Sequence, residues 1–544
     1  MRKLLFFLFI GLQFLFFSQQ NCSAYLKASV NSGNLPSTFD VFVKGNIDYL
    51  ISNASLLGIK VNYYAGDIAS VRTNVNSLAN LLLSKHVSFV EYNYKKVESF
   101  NDTMLVKNRI KAVKQGAAPL AQAYDGTGVI MGIMDTGIDF NHPDFKLSNG
   151  NTRVQFIWDQ NQTSGSTVPA PYNYGIEWTA AQINASLCTH SDLSGYGHGT
   201  HVSGTAAGNG LATGTHEGIA SQADLVVVAM NFNSPNNIFA DAVNYIFSKA
   251  TALSKPCVIN ASVGNYYGSH DGTDLETQLI NNMLNASNGR VLVAAAGNAG
   301  NYKYHAKTNI NTTDTNFTWL KTNATTIYHL VYADTAQFKN IKMSIAANSP
   351  NFQNLGRTPI QSFTYGLSGQ KIDTLKNNGN RIGIIKTSSS INSFGVYERF
   401  FQIIPDSNNY YWRVEATGNG LYDAWNFDFV STNLPSVSQY SNIVNYIMPD
   451  TISTIVSGFQ CSDEVITVGN YINKNTWYDV TNTLQNSGEV QGKIKETSSG
   501  GPTRDNRIKP EVVATGANVF AAMALGMQAN LVANAPSAVA PGSM

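Results

Sequence analysis

The chain has 544 residues, more than one ordinary domain holds, so two or three units with separate cores are expected. Lys and Arg total 36 against 35 Asp and Glu, a formal charge of +1, which excludes attraction to nucleic acid or to an anionic membrane as the basis of function. Recognition must then rest on shape.

Met1, Arg2 and Lys3 precede an apolar run from Leu4 to Phe17 and then polar Ser18, Gln19 and Gln20. That is the order of a secretory signal peptide over 1–20. A permanent anchor is the alternative, but the run is short for a membrane span and no other stretch approaches that length. The expectation is a secreted or periplasmic protein with no membrane association after signal removal.

Residues 21–105 carry a small α/β pattern. Phe39, Val41 and Val43 alternate as in a strand, Ser77 caps a helix over LANLLLSK, and VSFVEY reads as a second strand. Nothing catalytic clusters here, and the unit's position between an export signal and the downstream core suggests a propeptide that assists folding and binds the downstream domain; a permanent N-terminal domain stays open. From 106 to 300 the runs VIMGIMD, LVVVAM, CVINAS and VLVAAA alternate with helical pattern, as in a parallel sheet with helices on both faces. Phe239, Ala242, Val243, Ile246, Phe247 and Ala250 form the apolar face of one such helix. Residues 301–454, rich in Asn, Thr, Ser and Tyr, read as an inserted all-β domain, with a sandwich as one form and with YYWRVEAT and WNFDFV as alternating strands. In the first, Trp412, Val414 and Ala416 face one way and Arg413 and Glu415 the other. The α/β texture resumes near VITVGNY and runs through 455–544.

Four cysteines, Cys22, Cys188, Cys257 and Cys461, are far apart with no C-x-x-C pair, which argues against zinc. Disulfides and isolated buried thiols both stay open.

Three segments carry chemistry. Asp135, in MDTGIDFNHPDF, ends a buried strand, and Gly137 allows a tight turn that aims the carboxylate at a crevice. An Asp capping its own turn is the alternative. His198, in HGTHVSGTAAG, opens a helix whose small residues permit close approach to the sheet. His201, three residues on, shares its face, yet no acidic ligand follows as a zinc hydrolase requires; His198 is the working base and His201 a packing or hydrogen-bonding neighbour. Asn298, after AAAG at a strand end, is placed to donate to an oxyanion, against the alternative of a turn Asn.

In this order, D-T-G-I-D, H-G-T-H-V-x-G-T and A-A-G-N resemble the subtilisin family of serine endopeptidases, whose triad runs Asp, His, Ser. The resemblance spans about 106–300 and 455–544. It adds Ser262, Val263 and Gly264 as the segment that pairs with the substrate backbone, and GPTRDNRIKPEVVATG, Gly501–Gly516, as the segment before the nucleophile. Some bacterial members carry a β-rich insertion at this place. The family nucleophile sits in G-T-S-M-A-x-P at the start of a buried helix, whereas this sequence reads APGSM: either the true serine lies beyond residue 544 or Ser543 is a degenerate nucleophile. Ser498 and Ser499 match a non-catalytic family segment and are rejected. The resemblance implies peptide hydrolysis through an acyl-enzyme, a polypeptide substrate, and no cofactor or metal on the chain's own showing. The rival reading is an exported binding protein on an inactive scaffold of this family.

Overall fold

In the computed structural model the described residues are 22, 26, 35, 37–91, 102–165, 167–234, 237–456 and 458–542. The signal-like run and Ser543 lie outside them. The chain divides into two compact units, Met1–Glu98 and Ser99–Met544.

In the first unit, strands β1 (Phe39–Gly45), β2 (Lys60–Ala65), β3 (Ile68–Thr73) and β4 (Val87–Glu91) form an antiparallel sheet in the order β2-β3-β1-β4. Phe39, Val41 and Val43 of β1 are buried and alternate with exposed residues, as the period-2 pattern requires. The helix Val75–Leu83 starts earlier than its sequence suggests. Its cap is Asn74, not Ser77: the Asn74 carboxamide oxygen accepts from the Ser77 backbone N–H at 3.0 Å. Leu78 and Leu81 of this helix pack with Val41, Val43, Leu50 and Val71.

The second unit contains β5 (Ile130–Asp135), β6 (Val154–Asp159), β7 (Ile176–Thr179), β8 (Asp224–Ala229), β9 (Cys257–Ala261) and β10 (Arg290–Ala295). An all-β region follows, with β11 (His305–Leu320), β12 (Ile327–Asp334), β13 (Ile341–Asn348), β14 (Asn354–Arg357), β15 (Lys371–Asn377), β16 (Asn380–Ile391), β17 (Val396–Pro405) and β18 (Tyr411–Trp425). The chain then returns through β19 (Ile466–Ile472), the short hairpin β20 (Thr476–Tyr478) and β21 (Leu484–Asn486), and β22 (Val512–Ala517).

The first and last groups build one sheet in the order β22-β19-β10-β9-β5-β8-β6-β7. Every pairing in it is parallel except β6 with β7 at the edge. The apolar runs have a simple cause: both faces are covered, so both sets of alternating side chains need apolar partners. Val226 and Val228 of β8 pack with the helices Ile238–Ala252 and Leu275–Asn285 on one face. Leu225 and Val227 pack on the other face with Ile133 and with Ala207 of the helix His198–Ala207. The six residues predicted as one helical face, Phe239, Ala242, Val243, Ile246, Phe247 and Ala250, are all buried in Ile238–Ala252.

The all-β region is a single curled sheet rather than a sandwich. Its order is β14-β13-β18-β12-β17-β16-β15, with β11 pairing β18 along its length, and the edge strands β14 and β15 approach each other so that the sheet nearly closes into a barrel. Strand β18 is long enough to pair β13 through residues 411–418 and β12 through 423–425. Trp412, Val414 and Ala416 point into the barrel core, as alternation predicts. Arg413 and Glu415 are buried as well, because the segment containing Tyr440 covers the other face. Arg413 Nε donates to Glu415 at 2.7 Å and its Nη1 to Asn348 at 2.8 Å and the Tyr440 hydroxyl at 2.6 Å, so the buried charge is paired. WNFDFV is not a strand: β18 ends at Trp425, and a turn follows. Cys188, Cys257 and Cys461 form no disulfide; burial pushes the Cys188 thiol up to about 11 and that of Cys257 to about 12.

Candidate active site

Parallel sheets leave a crevice beyond the carboxyl ends of their strands, where the chain must turn away on either side. Asp135 is the last residue of β5, and the segments that follow β9, its neighbour on one side, and β10, the next strand out, line the same crevice. The turn leaving β5 passes through Gly137, whose φ of 142° is open to glycine and whose Cβ position would collide with the His190 ring at 2.5 Å. Gly199 of the next helix lies against this same turn, since a Cβ there would meet the Gly137 carbonyl at 2.2 Å. Small residues at both positions therefore bring the start of helix His198–Ala207 onto the end of β5.

That contact joins His198 to Asp135. Nδ1 of His198 lies 2.6 Å from Asp135 Oδ1. An ionised carboxylate can only accept, so Nδ1 carries the proton and the lone pair stays on Nε2. Asp135 is fully buried, whereas the His198 side chain is 56% exposed. The hydrogen bond to Asp135 raises the His198 pKa above the ordinary histidine value, with partial burial acting the other way. Asp135 Oδ1 also accepts from the Thr136 backbone N–H at 2.7 Å. Its Oδ2 is buried with no hydrogen-bond partner among the described residues, so the imidazole and the exit turn carry the whole compensation for this carboxylate.

The helix itself lacks a side-chain cap at Gly197, which sits in the left-handed region at φ 69°. Two residues from elsewhere take over. The Thr136 hydroxyl accepts from Gly199 N–H at 2.8 Å and donates to Asp192 Oδ1 at 2.7 Å. Asp192 Oδ2 accepts from the Thr200 N–H at 2.8 Å and from its hydroxyl at 2.6 Å. A negative charge at a helix N-terminus is favourable, and this one also locks the helix to the strand that carries Asp135. Sequence reasoning missed both residues; an Asp six positions before a helix that opens on glycine is the signal that was there to be used. It missed His190 too, which carries no local signal. His190 is buried, with Nδ1 2.7 Å from Asp159 and Nε2 accepting the Ile138 N–H at 3.1 Å.

The six site residues expected from sequence meet in one cleft. Asp135, His198, Ser262, Val263, Gly264 and Asn298 all line a space of about 360 Å³, together with Thr136, Phe232, Tyr266, Ala295, Gly297 and Val456. Strand β9 stops at Ala261, so Ser262–Gly264 run past the sheet along the cleft wall. The Val263 carbonyl accepts from Gln460 Nε2 at 2.8 Å. Asn298 is exposed, and its backbone N–H donates to the Tyr266 hydroxyl at 3.2 Å. Its neighbour Ala299 donates its N–H to Ser499 Oγ at 2.9 Å, while Ser498 Oγ accepts from Asn470 N–H at 2.9 Å. Both of these serines brace backbone. His201 does not share the cleft: its Nε2 lies 3.2 Å from the Val519 carbonyl, and burial lowers its pKa. Among the described residues no hydroxyl hydrogen-bonds to His198 Nε2, and no group of three or more His, Cys, Asp or Glu side chains gathers as metal ligands.

Comparison with known proteins agrees with this geometry. The model of the Subtilase family, Peptidase_S8, matches residues 126–540. Subtilisin of Bacillus sp. (strain TA39) is 31% identical over 199 residues, 36% of this chain and 39% of that protein. The minor extracellular protease Vpr of Bacillus subtilis (strain 168) is 25% identical over 248 residues, 42% of this chain and 26% of that protein. This chain thus spans well under two thirds of the curated relatives it matches. The structure of the Clostridium perfringens CspB protease superposes with a TM-score of 0.56 over 76% of this chain and 80% of its own, at 22% identity, which shows a shared fold. With its family model matched across most of the sequence, the chain belongs to the subtilase family of serine peptidases.

Proposed function

We propose that the protein is an exported endopeptidase that hydrolyses peptide bonds through an acyl-enzyme, with Asp135 and His198 as two members of an Asp-His-Ser triad. The observation that carries this reading is the His198 ring: it gives one nitrogen to a buried carboxylate, and no described residue partners the other in the cleft that the ring lines. In the forward step His198 Nε2 takes the proton of an attacking serine hydroxyl as its oxygen bonds to the scissile carbonyl carbon. The imidazolium that forms is stabilised by Asp135, which also fixes the tautomer. His198 then returns the proton to the leaving amine, and a water molecule repeats the cycle to release the acid. Asn298 is assigned as the side-chain donor to the oxyanion, which develops negative charge only during reaction. Ser262–Gly264, free of the sheet beyond β9, are assigned to receive the substrate main chain as an added strand.

Ser498 and Ser499 are not assigned as the attacking group, because each is committed to a backbone N–H. The unit from 21 to 105 is assigned as a propeptide-like domain that binds the catalytic domain. Export is supported by the apolar run after Lys3 and by the extracellular relative. No helix among the described residues is long and apolar enough to cross a membrane.

Fluorophosphonate labelling of the full-length protein tests this reading, with the labelled peptide identified by mass. A single labelled serine whose modification disappears in His198→Ala is expected. A well-folded full-length protein that takes no label and cleaves no denatured protein substrate would contradict it and favour a binding role.

A further inference from the structure

The all-β region meets a wall of the cleft through the contact of Phe427 with Tyr266. Phe427 lies in the turn just after β18 and is 53% exposed, yet it is not free to move. Asn426 anchors the turn by donating its backbone N–H to the Tyr304 carbonyl and its side-chain amide to the Tyr328 carbonyl, both at 2.8 Å. The Asn426 side-chain oxygen accepts the Asp428 N–H at 2.7 Å. One face of Phe427 stacks on buried Tyr304, with centroids 4.6 Å apart and planes 9° from parallel. Tyr304 is itself fixed, its hydroxyl donating to the Thr454 carbonyl at 2.9 Å. The edge contacts run the other way: Tyr266 meets Phe427 at 5.1 Å and 88°, and Tyr302, 55% exposed, meets it at 5.9 Å and 83°.

Tyr266 is also a wall of the cleft and holds the Asn298 backbone N–H. The three rings are thus continuous with the cleft and extend it outward onto the inserted region. Single exposed apolar residues are common on protein surfaces and need no explanation. A rigid, contiguous aromatic patch opening from a cleft is different, because contact with it costs little ordering. Its chemistry also selects an occupant: apart from Asp135 and His198, the cleft lining carries no ionisable acid or base other than the Tyr266 phenol, so an apolar side chain fits and a charged one does not.

We propose that Phe427, with Tyr302 and Tyr266, forms a specificity-determining shelf for a large apolar side chain of the polypeptide, so that the inserted region takes part in choosing the substrate. This rests on the assignment of the cleft as the substrate site. The test is equilibrium binding, which is separable from turnover. Dye-labelled octapeptides of Ala and Gly with one central Phe or one central Ala are titrated by fluorescence anisotropy against full-length protein in the His198→Ala background. The Phe peptide is expected to bind about tenfold more tightly than the Ala peptide. That ratio is expected to fall towards unity in Phe427→Ala and in Tyr302→Ala, with binding of the Ala peptide unchanged, and to persist in Phe427→Trp; thermal melts check folding. An unchanged ratio in folded Phe427→Ala, equal binding of both peptides, or no binding of either would overturn the shelf. Preferential binding by a protein that cleaves neither peptide with His198 intact would contradict the hydrolase reading and leave the shelf standing. Cleavage with equal binding would do the reverse.

Discussion

The cleft and the junction between the inserted barrel and the parallel sheet are built from the same residue types and behave oppositely. In the cleft His198 gives Nδ1 to Asp135 and keeps Nε2 open. At the junction His305, the first residue of β11, gives Nδ1 to Asp450 at 2.9 Å and Nε2 to Asp423 at 3.1 Å, and its side chain is 1% exposed. With two carboxylates to serve, His305 is held as an imidazolium: burial alone would lower its pKa, but the hydrogen bonds to Asp423 and Asp450 outweigh it and the pKa is raised. Trp425 lies beside it, with His270 stacked 3.9 Å from the Trp425 ring. Burial drives His270 the other way, to a pKa of about 3. Arg504 completes the junction, bridging Asp271 on the sheet side and Asp334 of β12. A third pair, His190 with Asp159, has its second nitrogen filled by the Ile138 N–H. An Asp–His hydrogen bond is therefore no mark of catalysis by itself. What separates the cleft from the other two places is a ring nitrogen that no described residue partners, on a side chain that lines an open cleft.

Breaking the comparison at the cleft should have the largest effects. His198→Ala removes the one histidine among the residues lining the cleft, and turnover is expected to fall by about 10⁶, the size of loss known for the equivalent change in a subtilisin; kcat on a peptide substrate reads it. Asp135→Asn keeps the shape but removes the charge that sets the tautomer, for an expected loss of about 10⁴ in kcat. It also moves the pH profile. Since Asp135 raises the His198 pKa, activity rises with pH through a midpoint above the ordinary histidine value, and that midpoint should fall in the variant. Asn298→Ala should lower kcat by about 10²–10³ with little change in KM, a magnitude taken from the oxyanion asparagine of a subtilisin.

The junction sharpens the contrast from the other side. His305→Gln leaves Asp423 and Asp450 without their shared cation, and a loss of about 3 kcal/mol in unfolding free energy is expected by denaturant titration. The pH dependence has a definite sign. A raised histidine pKa contributes stability that is full below the ordinary value near 6.5 and lost as pH rises through the folded value, so the gap between wild type and variant should shrink in alkali. The chemistry at His198 should be spared.

The sequence was most legible where burial on both faces dictates it. The runs that became β5, β8, β9 and β10 are largely apolar because both faces of the sheet carry packed layers, and Asp135 and Asn298 stand out as polar residues at or just beyond their ends. The gathering of six residues in one cleft follows from that topology. Less was legible where partners come from far along the chain. The cap of helix His198–Ala207 is supplied by Thr136 and Asp192, and the second face of β18 is covered by the Tyr440 segment, which local alternation reads as solvent. WNFDFV alternates like a strand but turns after Trp425: the Asn426 N–H still meets the Tyr304 carbonyl opposite it, while its side chain closes the turn, donating to the Tyr328 carbonyl and accepting from the Asp428 N–H. The role of Tyr266 beside Asn298 had no signal in the sequence at all.

His198 holds its proton on Nδ1 towards Asp135 and keeps Nε2, unpartnered among the described residues, in the cleft. Nitrogen-15 correlation of the histidine ring signals, with His198 assigned by subtraction of the His198→Gln spectrum, measures this directly. A neutral ring protonated on Nδ1, titrating above the ordinary histidine value and shifting downward in Asp135→Asn, is expected. A ring protonated on Nε2 at neutral pH, titrating identically with and without the Asp135 carboxylate, would contradict it.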